Sequence, residues 1–209
     1  MIIAVDGTAA SGKGTLAKRL AGALNLAHLD TGALYRGVGL MLLNDGVSAQ
    51  QITPYRAENA AKNLDFSCLD HPDLRTPETG EMASVVAAIP AVRHALLDSQ
   101  RQFAASPPQG FDGAVLDGRD IGTVVLPDAD VKFYVDADLA IRAERRTKEL
   151  INAGHAVMLP DIQQALAARD ERDMSRSEAP LKPADDAIMI DTSTLDVDMM
   201  VEKALSHCS

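Results

Sequence analysis

The chain opens on an unbroken apolar run at residues 2–5 and meets glycine at Gly7. A run without alternation fits a strand buried on both faces, as in parallel sheets. Residues 15–24 instead carry Leu16, Leu20 and Leu24 at intervals of four, the spacing of one helical face. A short apolar stretch at 27–29 predicts a second strand ending at Asp30. Thr31 is expected to cap the helix that continues through Leu34, Val38 and Leu42. Apolar runs at 114–116, 131–135 and 187–190 predict three further strands. Between the last two lie a charged helix over 138–153, a loop marked by glycine and proline over 154–160, and a helix from 161 to about 172. A last helix is expected over 197–205. Strands alternating with helices predict an α/β fold with a five-stranded parallel sheet.

From 47 to 90 the pattern weakens, and Pro54, Pro72, Pro77 and Pro90 punctuate it. An Ala-rich helix is expected near 57–63, a short extended piece at 64–69, and a loop to about 76. The segment has the look of an inserted flap outside the sheet. Pro90 is suited to the first turn of another helix, through Val92, Leu96, Leu97 and Phe103. Residues 106–110, Ser-Pro-Pro-Gln-Gly, predict a loop. With 209 residues, no internal repeat and no evident linker, a single domain carrying insertions is expected.

Composition narrows the ligand. Aromatic residues are only 3% and tryptophan is absent, so the core must come from Ala, Leu, Val, Ile and Met. The formal net charge of -10 disfavours nucleic acid as a partner, since phosphate-neutralising surfaces carry a positive excess. Yet arginines gather at Arg142, Arg145 and Arg146, and again at Arg169, Arg172 and Arg176. Local arginine clusters in an acidic chain fit a small, highly anionic ligand. Cys68 and Cys208 stand far apart and are expected as free thiols. The five histidines show no metal-like spacing. The N-terminus has no basic leader, and no apolar run approaches the roughly 20 residues that cross a bilayer. A cytoplasmic protein with no membrane partner is therefore expected.

The strongest signal is Gly7-Thr8-Ala9-Ala10-Ser11-Gly12-Lys13-Gly14-Thr15, a G-x-x-x-x-G-K run between a strand and a helix. Glycines let the chain curl so that successive N–H groups point at one anion. The helix N-terminus adds partial positive charge, and Lys13 brings a full charge to the β and γ phosphates. Where the general motif has Ser or Thr after the lysine, this chain has Gly14, with Thr15 next. The loop alone indicates a nucleoside triphosphate and leaves kinase, ATPase and GTPase open. The N-K-x-D guanine signature of GTPases does not occur.

Three further segments sharpen the reading. They are Asp30-Thr31-Gly32-Ala33-Leu34-Tyr35-Arg36, Asp117-Gly118-Arg119-Asp120-Ile121-Gly122-Thr123-Val124-Val125, and Arg169-Asp170-Glu171-Arg172-Asp173-Met174-Ser175-Arg176 ahead of Ala179-Pro180-Leu181. With G-K-G-T at the loop, these resemble the bacterial cytidylate kinases of the P-loop nucleoside monophosphate kinase superfamily, from about residue 3 to 205. The resemblance implies a three-layer P-loop NTPase-type fold. Its core would span roughly 1–30, 106–141 and 181–209, with an NMP-binding flap over 31–105 and a short lid over 142–180. It implies ATP and Mg²⁺, CMP or dCMP as acceptor, and a monomer. Residues 7–15 would hold the ATP phosphates. Thr31, Arg36 and Arg119 would surround the acceptor, the arginines gripping its phosphate. Ser84, Arg93 and Asp120 would face the cytosine. Asp173 would bind the ribose hydroxyls beside Arg169 and Arg176. Catalytic charge would come from Lys13, Arg36, Arg119, Arg142 and Arg146. Between Leu64 and Thr76 the chain has too few residues for the flap hairpin of longer family members.

The residues make chemical sense by themselves. Phosphoryl transfer needs positioning and charge neutralisation more than covalent chemistry. A phosphate monoester has a second pKa near 6, so an acceptor phosphate is largely ionised at neutral pH and needs no general base. Arginine donates two parallel hydrogen bonds to phosphate. An Asp accepts from the N4 amino group of cytosine but meets a carbonyl oxygen on uracil. Other readings stay open. Asp120 could pair with Arg119 or cap a helix. Asp117, like Thr15, could serve Mg²⁺ through water, or Asp117 could be structural. Ser84 and Arg93 are ordinary in isolation. Arg142 to Arg146 could form a solvated face with Glu144 and Glu149. At the level of function, UMP or another acceptor is the near alternative, and a P-loop ATPase or switch the distant one.

Overall fold

The computed structural model describes residues 1–65 and 69–208. The chain forms two compact units, one of Met1–Leu29 with Ser106–Ser209 and one of Asp30–Ala105.

The first unit is built on a five-stranded sheet. Its strands are β1 (Ile2–Gly7), β2 (Ala27–Asp30), β3 (Ala114–Gly118), β4 (Val131–Asp136) and β5 (Ile188–Asp191). The order is β2-β3-β1-β4-β5, with β1 parallel to β3 and β4, and β4 parallel to β5. The unbroken apolar runs have their explanation here, because the inner strands are buried on both faces. One face presents Ile3, Val5, Val115, Phe133, Val135 and Ile190. These pack with Leu16 and Leu20 of α1 (Lys13–Leu24) and with Met200 and Ala204 of α8 (Val197–Leu205). Leu16 and Leu20 are wholly buried, each contributing roughly 1.5–3 kcal/mol by the area withdrawn from water. α6 (Leu139–Asn152) and α7 (Leu159–Met174) pack against each other and set Ala143 and Leu166 against Ala9 of the glycine-rich loop. A π-helical turn at Ile121–Val125 follows β3, where the sequence pattern gave no element.

The second unit is helical. α2 (Thr31–Asn44), α3 (Pro54–Lys62), α4 (Pro77–Val86) and α5 (Pro90–Ala105) close around Leu34, Val38, Leu42, Ala57, Val86, Val92 and Leu96. One expectation is corrected. Asp30, not Thr31, caps α2, its carboxylate accepting from the Ala33 amide at 3.2 Å. The cap must stand in extended backbone one residue before the helix; Asp30 does, while Thr31 is already helical and buried. α4 lies beyond the expected loop, where the sequence pattern predicted no element. It starts on Thr76, whose hydroxyl accepts from the Thr79 amide, with Pro77 in the first turn. Of the extended piece expected at 64–69, residues 66–68 lie outside the described residues, and 64, 65 and 69 form no strand. Among the described residues no strand occurs in this unit, and no single helix of the chain is long and apolar enough to cross a membrane.

Candidate active site

The glycine-rich loop leaves the C-terminal end of β1 and enters α1. Gly7 has φ 153° and lies so close to β4 that a Cβ there would stand 2.0 Å from the Val135 carbonyl oxygen. Gly12 caps α1 at φ 94°, and Ala10 between them has φ 61°. No side chain caps this helix and its first turn holds no acid. The loop's carbonyls are engaged from outside. Arg142 donates to Ala9 O at 3.2 Å, the Thr192 hydroxyl to Ser11 O at 2.8 Å, and the Ser11 hydroxyl to Thr8 O at 3.0 Å. The Thr8 hydroxyl donates in turn to Asp136 Oδ1 at 2.6 Å. Carbonyls tied outward and left-handed residues alternating with ordinary ones give the curl in which amides converge on an anion. Lys13 opens the helix behind this curl and is partly buried, and Thr15, two positions on, is exposed.

On the far side of β1 the segment after β3 carries Arg119 and Asp120. Arg119 Nε donates to Asp173 Oδ2 at 2.9 Å, and its Nη1 to Gly118 O at 3.1 Å. Arg169 stands 4.0 Å from the same carboxylate, and Arg176 Nε donates to Asp173 O at 3.2 Å. Burial pushes the Asp173 carboxyl up, but the charges of Arg119, Arg169 and Arg176 outweigh it and hold the group below the ordinary carboxylate range. Three arginines thus gather on one carboxylate, in a chain whose net charge is negative. Asp120 is buried and makes no capping bond to the turn it precedes, which removes one of its bland readings.

The arginines of α6 separate into different roles. Arg142 is buried; its Nε donates to Ala137 O at 2.8 Å and its Nη1 to Asp170 Oδ2 at 2.6 Å. Arg145 binds Thr192 at both the hydroxyl, 2.9 Å, and the carbonyl oxygen, 2.6 Å. Arg146 pairs with Glu149 at 2.9 Å and remains partly accessible. Only this last contact matches the solvated face weighed from sequence.

Asp117, next to last in β3, lies beside the loop. His28 Nε2 meets its Oδ2 at 2.7 Å, and a Cβ on Gly14 would lie 3.7 Å from its Oδ1. Among the described residues no group of three or more His, Cys, Asp or Glu side chains forms a metal-binding cluster.

In the helical unit, Arg36 Nη1 donates to Leu74 O at 2.9 Å and passes Gly80 closely. Arg93 is buried, donates to Ala87 O at 3.3 Å, and lies over the Tyr35 ring with its guanidinium carbon 5.6 Å from the centroid. Ser84 on α4 and Thr31 on α2 are also buried. The residues expected around the acceptor thus divide between units: Thr31, Arg36, Ser84 and Arg93 in the helical one, Arg119, Asp120, Arg169, Asp173 and Arg176 in the sheet-based one.

A family model described as cytidylate kinase matches residues 3–209, taking in the loop, the Asp117–Asp120 segment and the arginine-rich helices together. The chain belongs to the cytidylate kinase family. It is 53% identical to a cytidylate kinase of Bradyrhizobium sp. over 98% of this chain and 94% of that protein. It is 51% identical to a cytidylate kinase of Rhodospirillum rubrum over 98% and 95% of the two chains. A crystal structure of an uncharacterized protein from Eubacterium ventriosum superposes with a TM-score of 0.58 at 16% identity, covering 99% and 97% of the chains, a likeness of fold alone.

Within this cytidylate kinase framework, sequence reasoning missed the residues that brace the site. Asp6 and Asp136 each interrupt an apolar strand with a charge at its C-terminal end, a signal that was available. Thr192 and Asp170 carried none, because their partners lie 181 and 28 positions away.

Proposed function

We propose that the protein transfers the γ-phosphoryl group of ATP to CMP, and to dCMP, giving the diphosphate. The observation that carries this reading is the family match over residues 3–209. The curl at 7–15 supports the donor half. The phosphates of ATP would lie against its amides, with Lys13 supplying the full positive charge. The three arginines gathered around Asp173 support the acceptor half. Arg119, with Arg36, would grip the CMP phosphate bidentately. Asp173, held ionised by its arginines, is an acceptor suited to the ribose hydroxyls. Asp120 would accept from cytosine N4, with Ser84 and Arg93 completing the base contacts. A well-placed contact of this kind discriminates by roughly 1–3 kcal/mol against the wrong base. Thr31 would lie beside the acceptor, and Arg169 and Arg176 beside its ribose.

The nucleophile needs no base, since the acceptor phosphate is ionised before it arrives. Arg142 and Arg146 would add charge near the transferring group, Arg142 also bracing the Ala9 carbonyl. The helical unit 30–105 would act as the NMP-binding flap and 142–180 as the lid, closing to keep water from the γ-phosphate. Asp117 or Thr15 would offer an oxygen to Mg²⁺ through water, which fits a hard cation that keeps its hydration. When bound, Mg²⁺ neutralises phosphate charge. In this reading the protein works as a monomer in the cytoplasm on small molecules, without nucleic acid.

The test is a coupled assay of the purified protein with ATP and CMP, dCMP, UMP or AMP. CDP formation with CMP preferred over UMP is expected. No CDP, or UMP turned over faster than CMP, overturns the reading.

A further inference from the structure

Asp6 is the last side chain before the phosphate loop and is buried. It lies on the face of β1 opposite α1 and α8. Its two carboxylate oxygens accept from two successive amides, Oδ1 from Ile121 at 2.7 Å and Oδ2 from Gly122 at 2.8 Å. Those amides open the π-helical turn that follows Arg119 and Asp120 directly. A carboxylate spans two adjacent amides in this way because it is acceptor-only at both oxygens. The contact is therefore a strut. One end is fixed in the central strand one residue from Gly7. The other fixes the backbone on which the two acceptor-recognising side chains are hung. The turn also packs against Lys132: a Cβ on Gly122 would lie 3.1 Å from that stem and 3.5 Å from Asp6 Oδ2, so only glycine fits beside the strut without a shift.

Burying a carboxylate here is costly. Burial pushes its pKa from the ordinary 3.8 up to about 7, the two amide bonds pull it down, Asp120 adds to the rise and Arg119 opposes it. Besides Asp120 and Arg119, the charged or titratable groups around it are Lys132, which is paired with Asp186, and Tyr134, itself pushed up to about 12 and neutral throughout. A costly anion that makes two short bonds to one turn is what a positioning role requires. A purely structural filler at this point has no need of charge.

We propose that Asp6 is a positioning residue for acceptor recognition, holding Arg119 and Asp120 in register with the phosphate loop through the Ile121 and Gly122 amides. This rests on the reading of Arg119 and Asp120 as acceptor-binding residues. Protonated Asp6 makes one of its oxygens a donor facing an amide donor, and Asp6→Asn does the same permanently. Either change frees the turn while leaving the loop's own clamps from Arg142, Thr192 and Asp136 in place.

The experiment compares wild type with Asp6→Asn in steady-state kinetics over pH 5.5–8.5, with ATP affinity measured separately by calorimetry. The expected result is a rise of about tenfold or more in KM for CMP, the scale of one lost hydrogen bond to a charged group. ATP affinity should stay within about twofold, on the same reasoning that the loop's bonds are untouched. In wild type, kcat/KM for CMP should fall on acidification through about 7, beyond the fall due to the substrate phosphate, and this extra limb should vanish in Asp6→Asn. The substrate's own titration is common to both proteins and cancels. Should the variant fail to fold, ¹⁵N shifts of Ile121 and Gly122 in the wild type supply the answer, since they must titrate together with that limb. Equal loss of CMP and ATP affinity, an unchanged KM for CMP, or amides that do not titrate would overturn the strut while wild-type turnover of CMP continued. A wild type that makes no CDP takes down the acceptor reading and the strut with it.

Discussion

Replacing Arg142 by alanine separates two roles that one side chain can hold. The residue is 6% exposed, and its guanidinium makes three hydrogen bonds: to Ala137 O at 2.8 Å, to Asp170 Oδ2 at 2.6 Å and to Ala9 O at 3.2 Å. Asp170 is buried too, and its Oδ1 has no hydrogen-bond partner. Removing Arg142 strands that carboxylate away from water. Deleting one member of a buried ion pair costs about 3–5 kcal/mol, mostly from the charge left behind. In a chain of this length each kcal/mol moves Tm by about 2–4 °C, so Arg142→Ala should lower Tm by about 6–20 °C. Thermal unfolding followed by circular dichroism reads this directly. Asp170→Ala in the same protein should restore part of the loss, because the stranded charge is gone. KM for ATP should rise in Arg142→Ala, since the Ala9 carbonyl loses an outside donor and the loop its curl. A Tm drop under about 2 °C would refute the reasoning, because a broken buried pair cannot be that cheap. If kcat alone collapsed in such a protein, Arg142 would act on the phosphates and not on the framework.

Lys13→Ala should fold normally, as judged by an unchanged Tm, and lose turnover by about 10²-fold or more, the scale of a single preorganised charge on the transferring group; activity within about tenfold of wild type would count against the cradle. Asp120→Asn should narrow the preference for CMP over UMP, because the amide can donate to uracil O4; an unchanged ratio of kcat/KM removes Asp120 from base recognition. Stability should depend on pH through Asp6. Its folded pKa of about 7 exceeds the ordinary 3.8, so its contribution is whole below about 3.8 and is lost as pH rises to about 7. Asp173 acts in the opposite sense, its depressed pKa supporting the fold above 3.8 and failing only in stronger acid. Tm scans from pH 4 to 8 should show a falling slope in wild type that is absent in Asp6→Asn.

Much of this was legible in the sequence. The buried strands announced themselves as apolar runs because both faces of an inner parallel strand are covered, and α8 was read at its true limits, Val197–Leu205. The phosphate loop was legible because its chemistry is local: glycine at the forced dihedrals and lysine at the helix start. The helical unit was legible in its limits and in α3 and α5, but not throughout. α4 hides in residues of mixed polarity, and its start at Thr76-Pro77 was overlooked among several prolines. The cap of α2 shifted by one residue because Asp30 and Thr31 are both good cap types, and only backbone geometry separates them. The braces of the site escaped for a different reason. Thr192 reaching Ser11, Arg142 reaching Ala9 and Asp6 reaching Ile121 are contacts across more than a hundred positions, and nothing in the residues themselves marks such a partner.

The seat of α6 has a mechanical consequence. Arg142 and Arg145 bolt the first turns of that helix to the nucleotide loop and to the residue after β5, whereas Ile151, Met158 and Leu159 at the other end stand in solvent. A rod anchored at its root bends from its tip. Any swing of the α6–α7 pair is therefore a flexing of its outer half about a fixed foot, and whatever strain that flexing generates arrives first at the carbonyls of Ala9 and Thr192.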